Sequence, residues 1–301
     1  MKIGVPQGSV LGPLLFLIYI NDLLYAAPDL SYVLFADDTN IFSTDSQLMA
    51  SQLQLVNQWC ISNRLVLNYE KTHQVLFKAP KKQYDSQSYN LMMGSSILEI
   101  NRETKFLGLT IDSNIDFKSH LKGLAKKLHL NLLMMRAVRP FLDDKTLTDI
   151  YYTFFYPHLI YSIEFWGHAC ETNLKPIKIL QKAALRVIVR IKPGEHVSTY
   201  FEKLKIMPLK MIFEYRLLKL LLKTYPTEEI LKLLPEHNHD TRSRALKTIQ
   251  ASNNRGGRSL LYTGVKLYNR YLLEDWTGSG NNPMSGLAER LWIYDRQRVL
   301  C

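Results

Sequence analysis

Tyr32-Val33-Leu34-Phe35-Ala36-Asp37-Asp38-Thr39-Asn40-Ile41-Phe42 is the stretch on which the fold turns. Aromatic and branched residues at Tyr32–Phe35 and Ile41–Phe42 have the chemistry of strands. Ala36-Asp37-Asp38-Thr39 between them reads as a tight turn. The two carboxylates then sit at the tip of a hairpin on a rigid base. They repel each other unless a cation neutralises them, and Mg²⁺ takes one or two carboxylates with phosphate oxygens. Asp is also common in turns for its own hydrogen-bonding reasons. Asp143-Asp144 is a second such pair, but it precedes a helical pattern and reads as a helix start.

Working outward, Gly4-Val5-Pro6-Gln7-Gly8-Ser9 is a constrained loop where backbone can approach a ligand. Ser9 is placed to cap a helix from Val10 to about Leu24. That segment is too short and too interrupted by Gly12 and Pro13 to cross a membrane, and reads as a buried helix. Ser46 to Ser62 has helical spacing at Leu48, Leu53, Val56 and Trp59. Val66 to Phe77 is a turn entering a strand, with Lys71 either a proton donor or a solvated loop lysine. Leu91 to Ile100 suggests a hairpin around Gly94-Ser95-Ser96. Thr104 to Asp112 reads as one strand with Gly108 at mid-strand, where another backbone passes. Helices and strands mix without a βαβ repeat. The fold class is α+β with a mainly antiparallel sheet in residues 1–118.

Later segments are helical. Phe117 to Met135 has an apolar stripe, with Lys118, Lys122 and Lys126 on another side. Leu147 to Trp166 is aromatic-rich, and Pro157 should kink or break it. In Lys175 to Lys192 the residues Lys175, Lys178, Lys182, Arg186 and Arg190 fall on one face. They form either a stripe for a phosphate backbone or a solvated face. Tyr200 to Tyr225 is mostly helical, Pro226 to Asp240 linker-like, and the tail from Thr241 basic. Three units follow: 1–118, a helical 119–195, and a basic 196–301.

The 301 residues are 47% hydrophobic, enough for a sizeable core, and carry a formal charge of +11. The charge is uneven: net −2 over residues 1–118, +10 over 119–224, −2 over 225–239 and +5 over 240–301. An acidic unit followed by basic ones suits a metal-holding part joined to polyanion-binding parts. The three cysteines, Cys60, Cys170 and Cys301, lie too far apart for a disulfide framework or zinc knuckle. A reducing compartment, nuclear or cytoplasmic, is expected.

In this order the segments resemble the second half of a reverse transcriptase of a non-LTR retrotransposon, of the LINE or jockey-like type. Gly4 through Pro13 resembles the template- and nucleotide-contacting loop and helix of that family. Phe35-Ala36-Asp37-Asp38 matches its palm metal motif. Asn68 to Phe77, with Lys71-Thr72, resembles the next motif, whose lysine is held to protonate the pyrophosphate leaving group. Phe106-Leu107-Gly108 matches the primer-grip hairpin. Thr241-Arg242 and Gly264 to Asn269 resemble the C-terminal region. The resemblance implies a partial palm, a helical thumb and a C-terminal region. It also implies an RNA template, a DNA primer, deoxynucleoside triphosphates and Mg²⁺, with Mn²⁺ as a substitute. Asp37 and Asp38 would ligate metal and Lys71 would be the general acid. Pro6, Gln7 and Gly8 would touch the template–nucleotide pair, and Phe106, Leu107 and Gly108 the primer end. The family carries a further Asp, and its fingers, upstream of the Pro-Gln-Gly loop. Neither is in this sequence, so the chain by itself is expected to be inactive, or to act as a non-catalytic nucleic-acid binder.

Overall fold

The computed structural model describes residues 5–6, 8–77, 89–225 and 260–271. They form two compact units. One comprises residues up to 105 with 112–115; the other comprises 106–111 and residues from 116 onward. Helices and short strands are mixed, as the α+β reading expects. The linker and the Thr241-Arg242 segment lie outside the described residues, as does Gln7.

In the first unit α1 (Leu11–Ile20) and α2 (Leu23–Ala26) lead into β1 (Ser31–Phe35) and β2 (Asp38–Phe42), an antiparallel hairpin. Tyr32, Leu34 and Ile41 pack on a core made by Leu23, Ala27, Leu53, Val56, Cys60 and Met93, among others. That core also takes α3 (Ser46–Ser62), whose bounds match the sequence reading. The Asp45 carboxylate starts α3, accepting from the Gln47 and Leu48 amides at 2.8 and 3.3 Å. β3 (His73–Val75) runs parallel to β6 (Glu99–Asn101), and β4 (Met92–Met93) pairs antiparallel with β5 (Ser96–Ile97).

Three expectations are corrected here. The sheet is a set of two-stranded ladders among the described residues, and one ladder is parallel. Thr104 to Asp112 is not one strand: β7 (Glu103–Phe106) turns back into β8 (Leu109–Asp112). Leu107 and Gly108 at that turn have φ of 45° and 84°. Two successive left-handed residues make the kind of turn whose twist suits a hairpin, so the glycine marks a reversal. Finally, α1 is not buried. Ile20 alone in it is buried, while Leu11, Leu14, Leu17 and Ile18 are more than half exposed.

The second unit is helical. α4 (Lys118–Val138) packs along α8 (Glu171–Ile188). Leu121, Leu124, Leu128, Leu132 and Met135 of α4 are buried, as are Ile177, Ala184, Leu185 and Ile188 of α8. Between them α5 (Asp144–Ile150) continues through a π turn at Tyr151–Phe155 into α6 (Tyr156–Ile160), followed by α7 (Ile163–Trp166). The widened turn stands just before Pro157, which has no N–H to give a regular helix. Asp143 caps α5, accepting from the Thr146 amide at 2.8 Å. Hydrogen bonds from the Thr146 side chain and backbone hold its carboxyl below the usual range. Hence Asp143-Asp144 is a helix start, as its context predicts.

α9 (Ser198–Lys203), α10 (Leu209–Thr224) and a helix at Leu260–Tyr271 complete this unit. Gly264 packs against Leu221: a Cβ there would lie 3.1 Å from both its methyls. Gln181 is fully buried and joins three segments. Its amide donates to the Tyr151 hydroxyl at 3.0 Å and the Met207 carbonyl at 2.9 Å. Its carbonyl accepts from the Leu209 amide at 2.9 Å. A shape-matched apolar residue leaves three buried polar groups without partners. Gln181→Leu is therefore expected to lower unfolding stability by about 3 kcal/mol. Urea denaturation checks this, with exposed Lys182→Ala as a near-neutral comparison.

Candidate metal and nucleic-acid site

The Asp tip is built by register. Phe35 pairs with Asp38, which leaves Ala36-Asp37 as a two-residue loop. Ala36 adopts φ 50° to close it. Alternation along the strands puts Tyr32, Leu34 and Ile41 toward the core. Phe35 and Asp38, being directly opposite, share the outward face. Asp37 and Asp38 are exposed, and neither side chain has a hydrogen bond or ion pair among the described residues. The base beneath them is fixed: Tyr32 donates to the Ala27 carbonyl at 2.9 Å.

These two groups fit a hard divalent cation. They are oxygen donors, adjacent, solvated and not already neutralised, and Mg²⁺ keeps several waters beside one or two carboxylates. No group of three or more His, Cys, Asp or Glu side chains placed to hold a metal occurs among the described residues. The pair by itself would supply only part of a metal's ligands.

Lys71 lies exposed in the turn before β3. Its amide donates to the Asn68 side-chain oxygen at 3.1 Å and to the Asn68 carbonyl at 3.2 Å. The Lys71 carbonyl is 3.0 Å from His73 Nδ1, while His73 Nε2 lies 2.9 Å from the Thr104 hydroxyl. A carbonyl only accepts, so Nδ1 carries the proton and Nε2 accepts from Thr104. Asn68, His73 and Thr104 were not singled out from sequence, yet they fix the backbone that bears Lys71. No signal short of the fold pairs His73 with a residue 31 positions later.

The Ser9 amide donates to the Pro6 carbonyl at 3.1 Å, closing a turn in which Gly8 has φ 86°. A turn of this kind calls for glycine at that place. Ser9 does act as a cap, its hydroxyl accepting from the Gly12 amide at 3.1 Å. Phe106-Leu107-Gly108 forms the β7–β8 tip, where the Tyr161 hydroxyl donates to the Leu107 carbonyl. This tip belongs to the second unit, while Pro6, Gly8, the Asp pair and Lys71 belong to the first.

Four of the five basic residues lie on α8; Arg190 falls past its end at φ 58°, so the expected five-residue stripe is cut short, and three of the five have internal partners. Lys178 pairs with Glu171 at 2.7 Å and Arg190 with Asp144 at 2.9 Å. Arg186 donates twice to the Glu195 carbonyl, at 2.9 and 3.1 Å. Lys175 and Lys182 are exposed, with no such partner among the described residues.

Residues 1–111 match the family described as reverse transcriptase (RNA-dependent DNA polymerase). A Drosophila melanogaster protein, "Probable RNA-directed DNA polymerase from transposon BS", is 29% identical over 204 residues, 62% of this chain and 22% of that protein. The "RNA-directed DNA polymerase from mobile element jockey" of the same species is 27% identical over 201 residues, with the same coverage. The "Probable RNA-directed DNA polymerase from transposon X-element", also from Drosophila melanogaster, is 28% identical over 218 residues, 67% of this chain and 23% of its own length. The matches thus span less than a quarter of each of these relatives. No solved structure matches the chain.

An Asp pair kept for ligand binding carries no folding load. Asp37→Asn/Asp38→Asn is expected to shift Tm by less than about 2 °C. Circular dichroism melts test it; a large loss would make the pair structural.

Proposed function

We propose that this chain, a relative of the reverse transcriptases of non-LTR retrotransposons, carries part of the palm, with the helical thumb, of a polymerase that copies RNA into DNA. The observation that carries this reading is the exposed, un-neutralised Asp37-Asp38 pair on a two-residue tip, within the stretch matched to that family.

Asp37 and Asp38 would hold Mg²⁺, or Mn²⁺ in its place. A divalent cation there stabilises charge on the attacking and leaving oxygens of an in-line phosphoryl displacement. The Pro6–Gly8 turn, with Gln7, borders the template–nucleotide pair. Phe106, Leu107 and Gly108 would hold the primer end. Lys71 gives a proton to the departing pyrophosphate, and its fixed backbone limits where the ammonium can reach. On α8, Lys175 and Lys182 are open to a phosphate backbone. Exposed pairs such as Lys178–Glu171 and Arg190–Asp144 are worth little, and a phosphate can replace the carboxylate. Catalysis of this kind is positioning and charge stabilisation.

A second reading, nucleic-acid binding without catalysis, is favoured by the net +10 over residues 119–224. Primer extension separates the two. The 301-residue chain alone is expected to stay at background on an RNA template with a DNA primer. The same chain joined to the upstream reverse transcriptase segment of a matching element should incorporate nucleotides, and Asp37→Asn in that longer chain should cost at least about a thousandfold. Incorporation unaffected by Asp37→Asn would contradict the polymerase assignment of the pair.

A further inference from the structure

The basic residues that remain unpaired as a row lie on α4, and they border a groove. Lys118, Lys122 and Lys126 recur every fourth residue, a ridge rising about 6 Å per step. All three are exposed, and none of their ammonium groups has a carboxylate partner among the described residues. The same ridge continues into Leu130, 65% exposed. Between this ridge and the start of α8 lies an open groove of about 770 Å³. Leu121 and Ala125 line it from α4, Pro176 and Leu180 from α8, and Thr172 and Asn173 at its polar edge. Pro176 has no N–H to give the Thr172 carbonyl.

A lysine row with no counter-charge, laid along an apolar trough, calls for a ligand with regularly spaced anions on one edge and flat apolar surface on the other. A duplex offers phosphates but keeps its base faces stacked away. An unpaired strand offers both. We propose that the α4–α8 groove takes a single nucleic-acid strand, with phosphates along Lys118, Lys122 and Lys126 and a base against Leu130, Pro176 and Leu180. The inference concerns the second unit alone and stands or falls separately from the Asp pair.

Fluorescence anisotropy of labelled oligothymidylate, oligouridylate and a short duplex with the 301-residue chain tests it at two salt concentrations. Lys122→Glu/Lys126→Glu should weaken single-strand binding by about tenfold or more and reduce the salt slope by about one per lysine. Lys145→Glu/Lys223→Glu, the same charge change elsewhere on the second unit, should cost less than about threefold. Leu130→Ser should weaken the single strand by about fivefold and leave the duplex unchanged. Circular dichroism melts confirm that each variant folds. The proposal is overturned if both double variants lose affinity equally, or if the duplex binds more tightly than the single strand. It is also overturned if an acidic amphipathic helical peptide occupies the groove and oligonucleotides do not displace it.

Discussion

Two like charges side by side at a hairpin tip, one in the two-residue loop and one on the first residue of β2, are an electrostatic liability that the described residues do nothing to relieve. Asp37 and Asp38 have neither a basic neighbour in contact nor a backbone amide to accept from among the described residues. Elsewhere the same residue type is put to structural use at once: Asp45 and Asp143 each accept backbone amides and start helices. Water can screen the tip pair, and a divalent cation does so better. The hairpin beneath is held by core packing, so the pair is presented without being consumed. The reading of the first unit depends on that presentation.

The second unit handles its charge differently. Its core is sealed by α4 and α8, and Gln181 pins the segments leading to α10 through two buried hydrogen bonds and one half-buried one. On and just past α8 the surface cations are partly spent on Glu171 and Asp144, whereas on α4 the lysines are left facing a groove. Unpaired lysines among the described residues therefore include a row on α4 with an apolar surface beside it. On the proposed reading, holding a strand and holding a cation fall to separate elements.

Much of this was legible in the residues. Strand-forming runs around Asp37-Asp38 gave the hairpin, and apolar spacing gave α3 to the residue. Pro157 marked where the aromatic helix departs from regular geometry, as a π turn just before it rather than a break. What escaped reading depends on partners distant in sequence. Arg190 meets Asp144, 46 residues away, and His73 meets Thr104; no helical wheel shows either. The family resemblance implied a hairpin at Phe106-Leu107-Gly108, but strand propensity alone hid the β7–β8 reversal, because Leu107, a poor turn former, adopts φ 45° beside Gly108. The exposure of α1 could not be read from its composition, since hydrophobicity alone implies burial. The lysines of α4 were visible as a row, but the groove they border exists only once α8 is packed alongside.

The central claim is that the Asp tip holds divalent cations. Mn²⁺ added to the isotopically labelled chain should broaden the amide resonances of Ala36, Asp37, Asp38 and Thr39 first, and Mg²⁺ should reverse the broadening by competition. Asp37→Asn/Asp38→Asn should abolish that local effect. Broadening centred elsewhere, or unchanged in the double variant, would contradict the account.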